Sequence, residues 1–400
     1  MKAKAFVRSW IVLAVAMIAG SAVCEQKLEL QSKRMKEPNE VAFCGSLFQP
    51  TAVLCRGETQ DSLSLLGPDG KSTGRLAVTE EGKDHPRVGA DCSRNGRYVA
   101  VSRRADPSNA YSQSTDVWDV VTQSKRWTRT GSYARPFITD NGAVVFAIAD
   151  SFHEYLIEFF GNTGKRLERV GPLRFLDGRF ALDPSGRCFL AATGDPKEPS
   201  RIALYDMSGK ETAGIEAKRG HVVSLGIAPG SSRIVVFLWD TMPGAAVRET
   251  LMVLNDQLDT VLSESDTDTP WGELAFSADA YCFALAGRSH AQLRKSADGV
   301  VIWRLDVSSL AGPGEETLVR EIVPSRNGKF TAVVLATRVK GAKEPRSRYS
   351  LALVDETGHV GRPISLDTMG GAVLRMELSA DESQVALERE KSIERYSIRQ

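Results

Sequence analysis

Charged side chains recur at one position of a repeated strand pattern. Three residues before a recurring apolar position, the chain carries in order Glu40, Gly89, Arg135, Arg179, Ser224, Glu273, Glu321 and Arg375. Arginine presents a planar fork of donors that matches a carboxylate or a phosphate, so the three arginines are candidate ligands for a small anionic or zwitterionic molecule. The three acids interleave with them, and the two signs could instead satisfy one another as ion pairs.

A second group of charges is basic and lies on two segments between predicted strands, 287–299 and 337–350. These segments carry Arg288, Arg294, Lys295, Arg338, Lys340, Lys343, Arg346 and Arg348, with Glu344 as the one acid of the second segment. Loops on one rim of a rigid scaffold are common binding sites, and a positive sector there would suit an acidic protein, a polyanionic sugar or lipid head groups. The alternative is that these residues only keep the surface solvated.

The sequence shows no signature of a metal centre or of a catalytic nucleophile. No two of the five histidines share a metal-ligand spacing, and the six cysteines include no Cys-x-x-Cys pair. Neither a Gly-x-Ser-x-Gly elbow nor a phosphate-binding glycine loop is present. We therefore predict neither a metal nor a cofactor, and a binding protein rather than an enzyme.

The charged positions belong to a tandem repeat. A motif of the form apolar-Ser/Asp-x-Asp/Asn-Gly returns roughly every 45 to 50 residues. Three copies lie at 92–96, 138–142 and 182–186, and degenerate copies lie at 227–231, 276–280, 324–328 and 378–382. A period of this length, filled with short strands, is typical of a β-propeller.

Each repeat predicts four short strands joined by turns. Eight units begin near Glu40, Arg87, Tyr133, Asp177, Val222, Trp271, Val319 and Val373. The last unit lacks a fourth strand, which residues 27–31 could supply and so join the two ends of the chain. The sequence thus predicts an all-β fold over residues 25–400, a single closed β-propeller of eight four-stranded antiparallel blades, with seven blades as the alternative. First strands are innermost in a propeller, so the six charges would ring the central channel.

The repeat resembles that of the WD-repeat and TolB-like β-propeller superfamily. A Trp-Asp pair at a third-strand position is Trp118-Asp119, a Gly-His pair before a first strand is Gly220-His221, and an altered Ser-Pro-Asp-Gly turn runs from Ser277 to Ala280. The resemblance covers most of the chain and implies a binding or scaffolding role without identifying a ligand.

Three functions stay open on this basis. The first is a binding module that presents its long-loop face to a protein or an envelope polymer. The second is a channel-mouth enzyme of the lactonase-like hydrolase or polysaccharide lyase type, which would need several ligands around a divalent metal or a metal-free lyase site. The arginines between the ring acids disfavour a metal cage. The third is a purely structural ring with its partner on the outer blade edges.

The N-terminus has the pattern of a secretory signal. Basic residues precede an apolar stretch at 11–19 and small residues follow it, which predicts a cleavable signal peptide at 1–22. The alternative is a lipid anchor on Cys24. Both place the protein in a secreted or periplasmic location. No later stretch is apolar enough to cross a bilayer, and a net charge of +1 gives no argument for nucleic acid. We expect a monomer.

An exported protein meets oxidants, so its cysteines are candidates for disulfides. Cys44 and Cys55 flank a predicted hairpin that turns near 49–50, and we predict a bridge between them. Cys92, Cys188 and Cys282 are predicted to be small buried residues.

Overall fold

The computed structural model describes residues 27–37, 40–55, 61–67, 71–78, 87–106, 108–151, 154–174, 177–183, 185–194, 199–219, 221–230, 232–240, 248–266, 271–287, 290–341 and 347–399. In these ranges the strands are β1 (Lys27–Met35), β2 (Glu40–Gly45), β3 (Pro50–Cys55), β4 (Ser62–Leu66), β5 (Ser72–Ala77), β6 (Arg87–Cys92), β7 (Tyr98–Asp106), β8 (Asn109–Asp119), β9 (Ser124–Ser132), β10 (Ala134–Ile138), β11 (Val144–Ser151), β12 (Glu154–Phe160), β13 (Arg166–Arg174), β14 (Asp177–Leu182), β15 (Cys188–Gly194), β16 (Pro199–Asp206), β17 (Glu211–Arg219), β18 (His221–Ile227), β19 (Ile234–Asp240), β20 (Arg248–Leu254), β21 (Thr260–Asp266), β22 (Trp271–Phe276), β23 (Cys282–Gly287), β24 (His290–Lys295), β25 (Val301–Asp306), β26 (Glu315–Pro324), β27 (Phe330–Val339), β28 (Arg348–Asp355), β29 (Ile364–Ser365), β30 (Val373–Leu378), β31 (Gln384–Arg389) and β32 (Ser392–Arg399). Short 3-10 turns lie at Val307–Leu310, Arg326–Gly328 and Thr368–Gly370.

The strands assemble into eight four-stranded antiparallel sheets, the blades of a closed propeller. Blade 1 is β2–β5, and each following group of four strands is the next blade as far as blade 7, β26–β29. Blade 8 contains β30, β31, β32 and β1. The first strand of each blade is innermost, and the inner strands of successive blades are neighbours. The structure confirms the predicted all-β propeller and its eight blades.

The ring has two different faces. Because every blade follows the same order from its inner to its outer strand, the inner strands begin at one face and end at the other. The face at which they begin also carries the connections between second and third strands, and we call it the loop face. The face at which they end carries the tight turns into the second strands, and we call it the turn face.

The N-terminal strand completes the last blade. β1 pairs antiparallel with β32, from Lys27 opposite Arg399 to Met35 opposite Ser392. This confirms the predicted closure, and the strand extends past residue 31 to Met35. One end of the chain thus covers the strand edge formed by the other end, which holds the ring closed.

The repeated motif forms the turn between the first and second strands. In blade 2, Ser93 Oγ donates to Asn95 Oδ1 at 2.8 Å and accepts a backbone N–H of the next strand at 2.9 Å. Gly96 completes the turn with a φ of +70°, a region that favours glycine. In blade 6, Ser277 Oγ donates to Asp279 Oδ1 at 2.7 Å. The motif therefore satisfies the polar groups of a turn, and its repetition marks the end of each inner strand.

Apolar clusters fill the seams between blades. The second strands are buried along most of their length, and in β23 all six residues are buried. Both faces of these strands meet apolar neighbours because each blade packs against the blade before it and the blade after it. One cluster joins blades 4 and 5 around Ile202 and Ile234, and another joins blades 6 and 7 around Leu293 and Val333.

The seam between blades 8 and 1 is more polar. Its small apolar cluster contains the buried residues Phe43, Val53, Cys55 and Ile393. Beside it, Lys36 Nζ lies 2.7 Å from Glu388 Oε1, and only 3% of the Lys36 side chain is exposed. Charged contacts therefore supplement a limited apolar contact where the ring closes.

A buried charge network also holds β1 in blade 8. Arg389 Nη1 lies 3.1 Å from Glu394 Oε1, and Lys33 Nζ of β1 lies 3.0 Å from the same oxygen. Tyr396 and Ser392 donate hydroxyl hydrogen bonds to this carboxylate at 2.7 and 3.0 Å. Burial acts to raise the pKa of Glu394, but these donors and charges together hold that pKa below its usual value.

Candidate functional site

Two acids of the predicted ring interact in the channel wall. Glu273 of β22 and Glu321 of β26 are half-buried and occupy the same position on the inner strands of blades 6 and 7, each beside an irregularity in strand pairing. Burial and the charge of Glu273 raise the pKa of Glu321 to about 7, although Arg320 acts in the opposite direction. Burial also raises the pKa of Glu273. The pair can therefore hold a proton near neutral pH.

Arg375 and Glu40 contribute to ring closure. Arg375 Nη2 donates to the carbonyl oxygen of Gly45 at 3.0 Å, and its Nε lies 3.7 Å from Glu388 Oε2. Glu40 pairs with Arg34 of β1. Because β2 ends at Gly45, Glu40 lies two residues earlier than the ring position of its blade. The structure does not bring Glu40 beside Arg375.

The other two ring arginines are exposed. The guanidinium of Arg135 lies 5.0 Å from the ring centroid of Phe137 in the same strand, a cation–π contact. Arg179 makes no hydrogen bond or ion pair within the described ranges. Of the six predicted ring charges, the two that the described structure brings together are Glu273 and Glu321.

The central channel opens into a cavity at the turn face. Its volume is about 1080 Å³, and residues of all eight blades line it. The inner-strand ends of blades 3 to 7 present apolar side chains to it: Phe137, Ile138, Leu182, Ile227, Phe276 and Val323. Blades 8, 1 and 2 present polar and charged groups: Arg375, Glu377, Ser46, Asp91 and Arg94. Most of its charged lining comes from blades 8, 1 and 2, and it lies opposite the face that the long loops indicated.

Two acids of this cavity, Asp91 and Glu377, were absent from the predicted ring. Glu377 accepts hydrogen bonds from Ser46 Oγ at 2.5 Å and the Leu47 N–H at 2.7 Å. Asp91 Oδ2 accepts the Ile138 N–H at 3.3 Å. Burial raises the pKa of Asp91 to about 6, although backbone hydrogen bonds act in the opposite direction. Both acids occupy the position one residue before the end of the inner strand. That position is apolar or small in the other repeats, so aligning the repeats at it would have identified the two acids.

The basic segment of blade 6 is mostly strand rather than loop. β24 (His290–Lys295) occupies the middle of the expected 287–299 loop, so that expectation was wrong. The sequence pattern indicates a loop here because the third strand of blade 6 is short and begins soon after the second strand ends. Lys295 is exposed at the turn-face end of β24. Arg288 lies outside the described residues.

Arg294 of this segment is buried. Its Nη2 lies 2.8 Å from Glu264 Oε2 of blade 5, and its Nε donates to Gln292 Oε1 at 2.9 Å. Its side chain is 8% exposed. Arg294 therefore joins blades 5 and 6, and it is not on the surface that a partner would meet.

Two arginines in the basic segment of blade 7 form ion pairs with acidic residues of the same blade. Arg338 Nη2 lies 2.9 Å from Glu316 Oε2, and Arg348 pairs with Glu315. Lys340 is exposed. Lys343 and Arg346 lie outside the described residues. The two arginines brace the start of β26 against β27 and β28, so they contribute less free positive charge than the sequence indicated.

The disulfide joins two blades. Cys44 is bonded to Cys92, with Cα atoms 5.5 Å apart, and links the inner strands of blades 1 and 2. The predicted Cys44–Cys55 bridge is therefore wrong, and Cys55 is a free buried thiol. The register places Cys55 opposite Glu40, four residues from Cys44 along β2. That spacing of roughly 13 Å is too long for a bridge. Cys188 and Cys282 are buried, as predicted, but Cys92 is not a free residue.

Exposed apolar side chains gather at the loop face of blades 7 and 8. Met369, between the two blades, is 69% exposed, and Val339, at the end of β27, is 58% exposed. Leu374 at the beginning of β30 and Met35 at the end of β1 are also exposed. These four residues lie on neighbouring elements of one face.

The part of the chain that the structure describes contains neither a metal-binding cluster nor a membrane-spanning helix. There, no group of three or more His, Cys, Asp or Glu side chains is placed to hold a metal ion. In the same residues, no helix is long and apolar enough to span a membrane. Residues 1–26, which include the predicted signal peptide and Cys24, lie outside the described ranges.

Solved structures similar to this chain include β-propellers. The C-terminal WD40 domain of Sif2 matches with a TM-score of 0.60 at 8% identity, over 93% of this chain and 99% of that one. The Dos1 propeller matches with a TM-score of 0.54 at 11% identity, over 92% and 95%. A chain of the mitotic checkpoint complex matches with a TM-score of 0.50 at 11% identity, over 93% and 96%. These matches confirm the resemblance to WD-repeat propellers at the level of the fold.

No protein-family model and no curated protein matches the sequence. The fold itself is that of a WD40-like β-propeller.

Proposed function

We propose that the protein is an exported scaffold that binds a protein partner through the loop face of blades 7 and 8. The observation that carries this proposal is the exposed apolar set Val339, Met369, Leu374 and Met35, which we call the loop-face patch. We infer that these four side chains form one apolar patch, and such a patch on a soluble protein commonly marks an interaction site. One of the similar structures is a chain of the mitotic checkpoint complex, which agrees with a scaffold role.

The structure of blade 7 suits such a role. β26 and β27 are each ten residues long, and their pairing continues to Glu315 opposite Val339. The Lys340 N–H donates to the Gly314 carbonyl oxygen at 2.9 Å just beyond that pair. This hydrogen bond and the ion pairs of Arg338 and Arg348 hold the extended ends of β26 and β27 in place. A rigid platform loses little conformational entropy when a partner binds.

The charges around the patch favour a protein over a polyanionic polymer. Arg338 and Arg348 already have acidic partners, so a polyanion would have to compete with Glu316 and Glu315 for them. Lys340 leaves some positive charge at the edge of the patch. The partner surface we expect is apolar at its centre with acidic residues at its rim, because charged rims steer association while apolar centres supply affinity.

Two features support export. The N-terminal segment has the basic, apolar and small-residue regions of a signal peptide. The Cys44–Cys92 disulfide fits an oxidising compartment, since such bonds are rare in the cytosol. The test is to express the full chain with a C-terminal tag and to sequence the N-terminus of the exported product. Retention of residues 1–22 on a cytosolic product would contradict the proposal.

The binding proposal is tested by affinity capture and then with a purified partner. Residues 25–400 are immobilised, an envelope extract is passed over them, and the captured protein is identified, purified and titrated. We expect Val339→Ser with Met369→Ser to weaken its binding about tenfold or more, because both side chains would lose apolar contact area.

The matched control is Val121→Ser with Val300→Ser. These residues are 69% and 53% exposed but lie at turn-face connections of blades 2 and 6, so they should leave the affinity unchanged. Equal loss in both double variants, or no loss in the first, would contradict a site on the loop face of blades 7 and 8.

A second candidate function is acid–base catalysis in the channel, of the kind a metal-free polysaccharide lyase uses. A carboxyl such as Glu321, with a pKa of about 7, can accept and return a proton near neutral pH. The nearby Arg320 could bind a uronate carboxylate. Incubation with polyuronates, followed by ultraviolet absorbance of unsaturated products, tests this activity. Turnover that Glu321→Gln abolishes would support it, and no turnover by the unaltered chain would contradict it.

A further inference from the structure

A pocket lies at the outer side of the seam between blades 2 and 3. Its volume is about 380 Å³, which is within the range of sites that bind small molecules. The fourth strand of blade 2, β9, forms one wall, and the third and fourth strands of blade 3, β12 and β13, form the other. None of its described lining residues belongs to the loop-face patch or to the turn-face cavity.

Three arginines converge in this pocket on one carboxylate. Arg129 Nε of β9 lies 3.0 Å from Glu158 Oε2, and Arg166 Nη1 of β13 lies 3.4 Å from Glu158 Oε1. Arg169 Nε, also of β13, lies 4.0 Å from the same Oε1 atom. All three guanidiniums surround a single small group, so an anion that binds next to Glu158 comes within reach of more than one of them.

The charges in the pocket do not balance. Glu158 is the one acid among the described residues that line it, against three arginines, so the lining has a surplus of two positive charges. Other acids on the neighbouring strands are placed elsewhere: Asp116 of β8 pairs with Arg103, and Glu168 of β13 lies against Gly209 of blade 4. Like charges this close repel one another, so a doubly charged anion in the pocket would be stabilised.

Arg129 is already fixed in position for an anion. Its side chain is 7% exposed, its Nη1 donates to the Ser132 carbonyl oxygen at 3.1 Å, and its guanidinium carbon lies 4.8 Å from the ring centroid of Phe146. Its Nη2 makes no hydrogen bond to any described residue. An ordered side chain loses little conformational entropy on binding, while the exposed Arg166 and Arg169 can adjust to the ligand.

The pocket also has an apolar part. Ile148, Leu156 and Phe160 line it, and the first two are 2% and 5% exposed. Phe160 is half-buried, and its ring stacks on Trp127 with the centroids 5.5 Å apart. An organic group attached to the anion can therefore pack against Phe160, and aromatic rings suit such a contact.

We propose that this pocket binds a small phosphate monoester, with its phosphate group beside Arg129, Arg166 and Arg169 and its organic group against Phe160. Near neutral pH a phosphate monoester carries close to two negative charges, which match the surplus of the lining. Its oxygens accept hydrogen bonds from the planar fork of a guanidinium. The pocket and the loop-face patch lie at different seams, so a failure of either proposal leaves the other intact.

The test is calorimetric titration of residues 25–400 with phenyl phosphate at pH 8. Inorganic phosphate lacks the ring, and benzoate keeps a ring but carries one negative charge. We expect phenyl phosphate to bind most tightly and benzoate least tightly. No binding of phenyl phosphate, or equal binding of benzoate, would overturn the proposal. Equal binding of the two phosphates would overturn the contact with Phe160.

A double variant tests the arginines. Arg166→Gln with Arg169→Gln should weaken phenyl phosphate binding about tenfold or more, because two charge-assisted contacts are lost. Both side chains are exposed, so the variant should keep its fold. The matched control is Arg126→Gln with Arg362→Gln, which removes two exposed arginines outside the pocket and should leave the affinity unchanged. Equal weakening by the two double variants would overturn the assignment of the site.

A substitution at Glu158 separates a ligand site from a purely structural ion cluster. Glu158 competes with the ligand for the same guanidiniums, so Glu158→Gln should tighten phenyl phosphate binding about fivefold. The ligand should also raise the melting temperature of this variant more than that of the unaltered chain. Weaker binding in a Glu158→Gln variant that circular dichroism shows to be folded would overturn the proposal.

Discussion

Arg389 and Glu394 form an ion pair of 3.1 Å in which the two side chains are 1% and 2% exposed. The pair lies in blade 8, and Lys33 of the N-terminal strand binds the same carboxylate. Arg389 also donates to the carbonyl oxygens of Asp367 and Gly371, at 2.6 and 2.7 Å, in the connection from blade 7. One buried guanidinium thus connects the last blade to the preceding blade and, through Glu394, to the start of the chain.

Removing this guanidinium should weaken the contacts that close the ring at blade 8. Arg389→Met leaves Glu394 buried with less compensation, and we expect a loss of about 3 to 5 kcal/mol in the free energy of unfolding. Urea denaturation followed by circular dichroism measures it. Arg399→Met is the control, because Arg399 pairs with Glu29 at the surface of the same blade and exposed pairs contribute little. Similar losses in the two variants would show that the buried network has no special part in closure.

The disulfide should stabilise the ring between blades 1 and 2. Cys44→Ala with Cys92→Ala is expected to lower the free energy of unfolding by about 2 to 4 kcal/mol, because the bond closes a loop with a sequence separation of 48. A reducing agent should bring the unaltered chain to the same stability. Peptide mapping under non-reducing conditions provides the direct check, and a Cys44–Cys55 peptide would contradict the structure.

Asp91 should make stability depend on pH. Burial raises its folded-state pKa to about 6 from the usual 3.8, so the folded state holds the proton more tightly than the unfolded state does. Ionisation of Asp91 therefore lowers the free energy of unfolding by on the order of 3 kcal/mol as the pH rises from about 4 to above 6. Asp91→Asn should therefore stabilise the protein at pH 8, and the gain should disappear near pH 4.

Melting curves at several pH values test this prediction. Asp256→Asn is the matched control, since Asp256 is an exposed carboxyl in a turn of blade 5. A gain from Asp91→Asn that is the same at pH 4 and pH 8 would mean that the titration of Asp91 is not its cause.

Charge reversal at Arg375 should destabilise the seam between blades 8 and 1. Arg375→Glu loses the hydrogen bond to the Gly45 carbonyl oxygen and places a like charge beside Glu388. Arg179→Glu reverses the charge at the same strand position in blade 4, where the described side chain has no partner, and should have little effect. Thermal melting compares the two, and an unchanged melting temperature for Arg375→Glu would contradict the contacts of this seam.

The propeller and its eight blades could be predicted from the residues alone. The reason is that the sequence patterns behind this prediction are local. Ser93 and Asn95 form a hydrogen bond within one turn, and each apolar second strand is buried whichever blades flank it. Closure by the N-terminal strand was also predictable, since the last repeat has three strands and an unpaired edge is unfavourable. The repeat alignment also put Glu273 and Glu321 at one strand position, and they lie on neighbouring inner strands, β22 and β26.

The contacts between side chains of different repeats could not be predicted in this way, because they depend on how the blades pack together. Cys44 bonds to Cys92 one blade away because the register keeps Cys55 distant, and no local pattern encodes that register. Arg294 is buried because Glu264 of the neighbouring blade faces it, although its own segment looks like a basic loop. The turn-face cavity likewise depends on packing, because residues from all eight blades line it. Period-two alternation fixes the side of a strand on which a residue lies, but packing between blades fixes what that residue touches.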